Sequence, residues 1–251
     1  VRNAWFLVVA AFFADCVSAD TSCPQFYFSK KEPVIIAPLD GEMIELCYEE
    51  YAVLYSSKTK TPLYSVESLG PAQMRGARAI VRDKSFEFYP DRNIAEYDSA
   101  QLADYTHSGY DRGHMAPAGD FSTRETQRQS FTLANVVPQS PVINRGIWAD
   151  IETAVRASAE DGNVYVVTGP LFIGAARYIG AGVMIPCHIF KAIYAPGRQV
   201  VGAYIVGNGD DPTYYTVSIN QLTALSGIDI FPTAPDAIKS ANMPLPSPVK
   251  R

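Results

Sequence analysis

The sequence has few residues of the kinds that bind zinc. Its 251 residues include four cysteines and three histidines, and no two cysteines are separated by only two residues. A structural zinc site needs four cysteine or histidine ligands, usually in closely spaced pairs. The sequence therefore argues against a zinc-stabilised domain of that class.

Positive charge is also scarce. Lysine and arginine together number 21, and aspartate and glutamate number 26, which gives a formal net charge of −5. Proteins that bind nucleic acid tightly by neutralising many phosphates carry an excess of positive charge. The charge balance argues against that class, but not against an enzyme that concentrates positive charge in one cleft.

No hydrophobic run is long enough to span a membrane. The run at residues 4–14 has 11 residues, whereas a helix needs about 20 apolar residues to cross a bilayer. Arg2 precedes this run and Val17-Ser18-Ala19 follows it, which is the pattern of a secretory signal peptide with a small-residue cleavage site. We expect residues 1–19 to be a signal peptide, the mature protein to be exported to the periplasm or the cell exterior, and no membrane anchor to remain. A buried N-terminal strand is the alternative.

Three cysteines remain if the signal peptide is removed. Cys23 and Cys47 are the natural pair in an oxidising compartment, and a disulfide between them would contribute about 3 kcal/mol of stability. Cys187 is left over and lies in the apolar segment 184–194. We expect it to be a buried, unreactive thiol.

The composition is that of a packed globular protein, with 47% hydrophobic and 19% charged residues. Apolar and β-branched segments alternate with turn residues, and other segments show helical spacing or capping motifs. The pattern predicts one domain over residues 20–251 with a mixed α+β fold, in which a central antiparallel sheet is flanked by helices. Predicted strands cover residues 46–55, 62–69, 163–169, 184–194 and 199–206. Predicted helices cover residues 122–131, 144–159 and 218–227, and residues 70–105 are predicted to form long loops.

The densest group of chemically active residues lies within residues 110–117. Asp111, Arg112, Gly113 and His114 are consecutive. An imidazole titrates near neutral pH and can take a proton from water, and a guanidinium can bind a phosphate through paired hydrogen bonds. The glycine leaves the backbone free to bring the flanking side chains to one spot. This combination suits chemistry on phosphates.

A second group contains two asparagines and a glutamate. Asn135-Val136-Val137-Pro138-Gln139 comes first, followed by Asn144-Arg145-Gly146-Ile147-Trp148 and then Glu152. Mg²⁺ prefers oxygen ligands and keeps several of its waters, so an amide oxygen and a nearby carboxylate can hold it. Eight residues of helix rise about 12 Å, too far for Asn144 and Glu152 to bind one ion directly. We therefore predict that Asn144 binds the metal at the start of a helix and that Glu152 acts through a metal-bound water.

Together these segments resemble the DNA/RNA non-specific endonucleases, a family of ββα-metal (His-Me finger) nucleases to which endonuclease G is related. The resemblance rests on an ordered set: Asp-Arg-Gly-His at 111–114, Asn-x-x-Pro-Gln at 135–139, and Asn-x-Gly-x-Trp at 144–148 with Glu152 after it. Weaker similarity at residues 167–171 and 185–194 extends it over most of the mature chain.

The resemblance implies a Mg²⁺-dependent endonuclease, with Mn²⁺ able to substitute, that contacts the phosphate backbones of DNA and RNA. It implies cleavage without sequence preference to 5′-phosphate products, within a ββα element over about residues 111–159. His114 would be the general base, Asn144 the direct metal ligand, and Glu152 a holder of metal-bound water. Arg112 would support the scissile phosphate. Asp111, in the same motif, would act at the site or orient its neighbours.

A further arginine of the family falls in the segment Arg82-Asp83-Lys84-Ser85-Phe86. Arg82 and Lys84 are both candidates for it, and the sequence does not decide between them. The second active-site cation is therefore left open.

Plainer interpretations exist for several of these residues. Asn144 could be only a helix cap, and Glu152 could pair with Arg156 one helical turn later. Trp148 is expected in the core and Asn135 as a loop anchor, and Lys191 is expected to be an exposed strand lysine. For the whole protein, one alternative is an exported nucleic-acid-binding or scaffold protein that keeps the fold without turnover. Another is a hydrolase of small phosphodiesters.

Overall fold

The computed structural model describes residues 21–38, 40–81, 83 and 85–248. The expected signal peptide and both candidates for the upstream cation, Arg82 and Lys84, lie outside the described residues. The strands are β1 (Val34–Ile35), β2 (Met43–Cys47), β3 (Tyr51–Ser56), β4 (Thr61–Leu69), β5 (Asp111–His114), β6 (Val136–Gln139), β7 (Val164–Leu171), β8 (Tyr178–Ile179), β9 (Val183–Met184), β10 (His188–Ala195), β11 (Val200–Gly207), β12 (Tyr214–Val217) and β13 (Ile228–Asp229). The α-helices are α1 (Pro71–Ala79), α2 (Leu102–Tyr105), α3 (Arg124–Gln129), α4 (Pro141–Asn144), α5 (Ile147–Glu160), α6 (Ile219–Ser226) and α7 (Asp236–Ser240).

A seven-stranded antiparallel sheet organises the molecule, with strand order β12-β11-β10-β7-β4-β3-β2. Successive side chains of a strand point to opposite faces. In β10, Phe190 and Ala192 pack on one face with Leu222 of α6, and Ile189 and Ile193 pack on the other. Both faces of the central strands are therefore buried, which explains why the sequence of β10 is largely apolar. The mixed fold with a central antiparallel sheet is as predicted.

A smaller antiparallel pair, β5 with β6, carries the motif residues. Asp111 is opposite Gln139 and His114 is opposite Val136. Helices α4 and α5 follow β6, so the predicted ββα element is present. Met115 and Val137 pack in the same core cluster as Trp148 of α5, which fixes this element against one face of the large sheet.

The sequence prediction of one strand at 46–55 is wrong, because the chain turns between β2 and β3. No glycine, proline or asparagine marks this turn at residues 48–50. Hydrogen bonds with residues distant in the sequence hold the turn instead. The Glu49 amide donates to Gln129 Oε1 at 3.1 Å, and the Glu50 carboxylate accepts from the Ser122 amide at 2.8 Å. Tertiary contacts of this kind cannot be read from local sequence.

Residues 70–105 are not all loops, as α1 occupies residues 71–79. Pro71 and Gly76 favour irregular structure when only the sequence is considered, because proline and glycine are typical of turns and loops. However, Pro71 lies in the first turn of the helix, where a missing amide donor costs nothing. Gly76 faces Ser122 so closely that a Cβ would lie 2.7 Å from the serine Cβ. The glycine therefore allows α1 to pack closely.

Two other element boundaries differ from the predictions. Residues 184–194 form two strands, β9 and β10, because Pro186 cannot donate to a sheet and separates them. The helix predicted over residues 122–131 is shorter, because Thr123 caps α3 in a capping box with Thr126 and the helix ends at Gln129. The helix predicted from Ser218 is confirmed, with Ser218 as its cap and Gly227 ending it in a left-handed conformation.

The cysteines behave largely as expected. Cys23 and Cys47 form the predicted disulfide, which ties the segment before β1 to the edge strand β2. Cys187 is free but only partly buried, so the expectation of a fully buried thiol is wrong. Its Sγ lies 3.2 Å from the carbonyl oxygen of Leu171 and accepts from the Ile173 amide at 3.2 Å. Within the described part of the chain, none of the helices combines the length and the apolar character that crossing a bilayer requires.

Candidate active site

A cleft of about 680 Å³ lies beside the β5–β6 pair and α5. All five residues that the sequence predicted for the site line it, namely Asp111, Arg112, His114, Asn144 and Glu152. The first three come from β5, Asn144 from the end of α4, and Glu152 from the second turn of α5. The structure therefore brings together residues that are up to 41 positions apart in the chain.

The local geometry of β5 depends on Gly113. A Cβ at this residue would lie 2.0 Å from Gln139 Oε1 and 2.5 Å from Gln139 Cβ on β6. Only glycine lets the two strands approach this closely. Arg112 and His114, on either side of it, point to the same face of the strand. The tetrad thus places a cation and an imidazole side by side.

Two aromatic rings flank the His114 imidazole. Its ring centroid lies 5.0 Å from that of Phe88 and 5.1 Å from that of Phe131. The His114 side chain is half-buried. The two rings limit the rotation of the imidazole and leave it facing the cleft.

Arg112 differs from the other arginines of the cleft in what holds it. Its guanidinium carbon lies 4.7 Å from the centroid of the Phe88 ring. Among the residues that the structure describes, the Arg112 side chain forms no ion pair or hydrogen bond. By contrast, Arg145 is paired with Asp111, and Arg156 with Asp120. The hydrogen-bond donors of Arg112 are thus available for an anion.

Asp111 orients its neighbours on α4. It accepts from Asn144 Nδ2 at 2.9 Å, from Arg145 Nε at 2.8 Å and from Arg145 Nη2 at 2.6 Å. Partial burial alone would raise the pKa of Asp111, but the hydrogen bonds from Arg145 and Asn144 outweigh burial and lower it. The carboxylate therefore stays ionised and keeps the Asn144 amide in one orientation. Because this bond uses the amide nitrogen, the amide oxygen of Asn144 is left for another partner.

Asn144 does not begin the long helix, contrary to the prediction. It is the last residue of α4, and α5 starts at Ile147 after Gly146. Gly146 has non-helical backbone angles, and a Cβ there would lie 2.8 Å from the carbonyl oxygen of Val142. The helical conformation is therefore interrupted between α4 and α5, and this interruption allows the Asn144 side chain to reach Asp111.

Arg156 is a residue of the cleft that sequence reasoning missed, having considered it only as a surface partner of Glu152. Its Nη1 donates to Asp120 Oδ1 at 2.8 Å and its Nη2 to Thr153 Oγ1 at 3.0 Å. Asp120 is 2% exposed. Burial would lower the pKa of Arg156, but the charges of Asp120 and Glu152 raise it. The one signal for this residue in the sequence is its spacing of one helical turn after Glu152.

The donor set of the cleft fits a hard divalent cation. Asn144 offers an amide oxygen and Glu152 a carboxylate, which are the ligand types that Mg²⁺ prefers. Asp111 is engaged by Asn144 and Arg145. Within the described residues, the group of Cys, His and acidic side chains close enough to share a metal is Cys23, Glu45 and Cys47. Since its two cysteines form the disulfide, that group is not a metal site.

Aromatic and aliphatic side chains form part of the remaining cleft wall. Phe88, Leu102, Tyr105 and Tyr110 are among them. They come from the segment between α1 and β5, most of which was predicted from the sequence only to form long loops.

Three other residues near the site have structural roles in the fold. Trp148 is in the core, as expected. Asn135 anchors a loop, accepting from the Ala116 amide at 3.0 Å and donating to the Ala116 carbonyl at 2.8 Å. The expectation of an exposed Lys191 is wrong, because this lysine is 1% exposed and donates to Thr168 Oγ1 at 2.7 Å. Its position in β10, between Ile189 and Ile193, directs it under α5.

Comparisons with known proteins agree with the motif. The family model of the DNA/RNA non-specific endonucleases matches residues 33–237. Human mitochondrial nuclease EXOG is 34% identical over 220 residues, which cover 78% of this chain and 58% of the relative. Nuclease C1 of Cunninghamella echinulata var. echinulata is 31% identical, over 73% of this chain and 81% of the relative. Bovine mitochondrial endonuclease G is 31% identical, over 72% and 67%.

A solved structure shows the same similarity in three dimensions. EndoG in its complex with EndoGI superposes with a TM-score of 0.66 at 25% identity, covering 76% of this chain and 86% of that chain. This chain therefore spans a little over half of the human relative and most of the superposed structure.

Proposed function

The chain belongs to the DNA/RNA non-specific endonuclease family, and on that basis we propose that it hydrolyses the backbones of DNA and RNA without reading their sequence. The observation that carries this proposal is one cleft with three complementary groups. His114 can accept a proton, Arg112 has donors available for a phosphate, and Asn144 is held by Asp111 with its amide oxygen available.

In the proposed reaction, His114 takes a proton from the water that attacks phosphorus. The two aromatic rings beside it hold the imidazole in place for this transfer. Arg112 binds a non-bridging oxygen and offsets the charge that develops on the phosphate. The attack displaces the 3′ oxygen, so the products carry 5′ phosphates.

We propose Mg²⁺ as the cofactor, with Mn²⁺ able to substitute. Asn144 would bind the ion directly and Glu152 would hold one of its waters. When bound, the ion supplies charge stabilisation to the phosphate and the departing oxygen. Arg156 lies one helical turn from Glu152 and is fixed by Asp120, so its positive charge attracts the Glu152 carboxylate.

Weak sequence preference follows from the chemistry of the cleft. Its charged groups suit phosphates, which every nucleotide shares, and base edges are what specify sequence. The net charge of −5 limits binding outside the cleft and favours release of the polyanionic products.

We also propose that the protein works after export, in the periplasm or outside the cell. The disulfide between Cys23 and Cys47 supports this, because such bonds persist in oxidising compartments. The two mitochondrial relatives differ in this respect, as their names state their location.

Digestion in the presence and absence of metal tests the proposed activity. The protein is incubated with supercoiled plasmid and with RNA, each with Mg²⁺, with Mn²⁺ or with EDTA. We expect both polymers to be degraded with either metal and to survive with EDTA. Binding without degradation would instead favour a scaffold protein of this fold. Release of product from a small model diester, with both polymers intact, would favour the hydrolase of small substrates.

A further inference from the structure

Phe88 occupies a fixed position at the edge of the cleft. Tyr89, the next residue, donates its amide to the Phe131 carbonyl at 3.1 Å and accepts from the Leu133 amide at 2.8 Å. These bonds tie the backbone around Phe88 to the segment that leads into β6. The Phe88 ring is therefore held by the same part of the chain that supports the β5–β6 pair.

The Phe88 ring contacts both active groups of β5. Its centroid lies 5.0 Å from that of His114, with 42° between the ring planes, and 4.7 Å from the Arg112 guanidinium carbon. Phe131 lies 5.0 Å from Phe88 and 5.1 Å from His114, so the three rings form a closed cluster. A single aromatic side chain thus fixes two groups whose relative position decides where a phosphate and its attacking water must lie.

An aromatic ring can hold the Arg112 guanidinium without neutralising its charge. The face of the ring attracts a guanidinium electrostatically but takes none of its hydrogen bonds. A carboxylate would hold an arginine equally well, as Asp111 holds Arg145, but it would neutralise the charge and occupy the donors. Among the described residues Arg112 has no such carboxylate. Contact with Phe88 is what holds its guanidinium.

We propose that Phe88 is a positioning residue of the cleavage site, one ring that sets the spacing of Arg112 and His114 and leaves the hydrogen-bond donors of Arg112 available. This inference rests on the proposed endonuclease activity and deepens it. It assigns a role in catalysis to a side chain that has no reactive group of its own.

The chain provides a matched control in Phe86. The Phe86 ring also packs on Phe131, at 5.7 Å, and also lies under an arginine, with the Arg124 guanidinium carbon 5.2 Å from its centroid. Both phenylalanines are half-buried. However, Arg124 is paired with Asp83 and does not line the cleft. Among the described residues, removing the Phe86 ring removes the same kinds of contact without removing a ring contact of Arg112 or His114.

The test is steady-state cleavage of a 5′-labelled oligonucleotide with Mg²⁺ by the wild type and by Phe88→Leu, Phe88→Met, Phe88→Tyr and Phe86→Leu. Misplacement of reacting groups by about 1 Å costs up to about 100-fold in rate. We expect Phe88→Leu and Phe88→Met to lower kcat by roughly tenfold or more, with KM changed much less. Phe88→Tyr, which keeps the ring, should restore kcat to within about threefold of the wild type, and Phe86→Leu should stay within about twofold.

Thermal unfolding of the same variants separates positioning from folding. We expect Phe88→Met and Phe86→Leu to unfold at similar temperatures, and the comparison of kcat uses Phe88→Met if Phe88→Leu melts below the assay temperature. The inference is overturned if Phe88→Met keeps the wild-type kcat, if it loses no more than Phe86→Leu, or if Phe88→Tyr fails to restore the rate. An inactive wild type would instead count against the endonuclease activity itself.

Discussion

Arginines around the cleft differ in whether a carboxylate neutralises them. Arg145 and Arg156 are held by Asp111 and Asp120, whereas Arg112 is held by an aromatic ring. The paired arginines thus stabilise the structure of the site, whereas the hydrogen-bond donors of Arg112 remain available for an anion. Asp111 accepts hydrogen bonds from both Asn144 and Arg145 and therefore orients both side chains.

Asp111→Asn should weaken metal binding more than substrate binding. The substitution removes the charge that pairs with Arg145 and places an amide opposite the Asn144 amide, so Asn144 loses its fixed orientation. Loss of a group that orients a metal ligand typically costs 10-fold to 100-fold in metal affinity. We expect the Mg²⁺ concentration for half-maximal cleavage to rise by roughly tenfold, with a smaller change in KM for the oligonucleotide.

Asp83→Asn is the control for this change. Asp83 also accepts from the Nε and Nη2 of an arginine, Arg124, but away from the cleft. Its variant should show the Mg²⁺ dependence of the wild type. An Asp111→Asn protein with that same dependence would show that Asp111 does not position the metal ligand.

The five predicted site residues could be found from sequence because they belong to an ordered set of motifs, Asp-Arg-Gly-His at 111–114 and Asn-x-Gly-x-Trp at 144–148 with Glu152 after it. Asp111, Arg112 and His114 share one strand, and Asn144 and Glu152 lie on consecutive helices. Phe88 and the Asp120–Arg156 pair could not be found in this way. Their contacts join residues 26 and 36 positions apart, and a phenylalanine or a salt bridge has no sequence signature of its role.

At the scale of elements, the close approach of β5 and β6 depends on a residue without a side chain. Gly113→Ala places a Cβ within 2.5 Å of Gln139 Cβ, which lies close to the backbone and cannot move away easily. Overpacking of this kind costs about 1–3 kcal/mol. We expect a lower unfolding temperature and, because Arg112 and His114 flank the glycine, a loss of cleavage activity under conditions where the variant is still folded.

Gly162→Ala provides the comparison. Apart from its chain neighbours, no atom of the described residues lies within 4 Å of the position that its Cβ would occupy, so this variant should unfold near the wild-type temperature and cleave at the wild-type rate. Equal stability and activity of the two alanine variants would mean that the strand pair tolerates a wider spacing than the structure has.

The type of most long elements was predictable, but helix α1 and several boundaries were not. The helical spacing of Ile147, Ile151 and Val155 in the sequence predicts α5, but the predicted start at Asn144 is too early. The backbone at Gly146 breaks the helix there, and glycine alone does not reveal in which direction the chain turns. The turn between β2 and β3 was missed because contacts from Gln129 and Ser122 hold it.

At the scale of the whole molecule, the sheet face beneath the ββα element contains buried ionisable groups. Glu67 of β4 is fully buried, and within the described chain neither of its carboxyl oxygens has a hydrogen-bond partner. Burial raises its pKa well above the ordinary value of 4.5. The charges of Asp120 and Glu152 raise it further, and that of Lys191 opposes them. The folded protein therefore opposes the ionisation of Glu67.

This arrangement makes stability depend on pH in a defined direction. Below about pH 4.5 Glu67 is protonated in both the folded and the unfolded chain, so it does not penalise folding. As the pH rises towards its folded pKa, only the unfolded chain releases the proton, and stability is lost. Glu67→Gln cannot ionise. We expect its free energy of unfolding, relative to that of the wild type, to increase between pH 5 and pH 8.

Urea unfolding at several pH values measures this difference. Glu96→Gln, at an exposed position, should show a difference from the wild type that changes little over the same range. If the difference in free energy of unfolding between Glu67→Gln and the wild type is equally independent of pH, Glu67 is ionised in the folded protein.

The central claim is that the imidazole of His114 and the amide of Asn144 act together in one cleft. It is tested most directly by the single-turnover rate at which His114→Ala cleaves a 5′-labelled oligonucleotide at saturating Mg²⁺, with His107→Asn as the histidine control. We predict a rate at least about 100-fold below that of the wild type, with His107→Asn unchanged. A His114→Ala protein that cleaves at the wild-type rate would contradict the account.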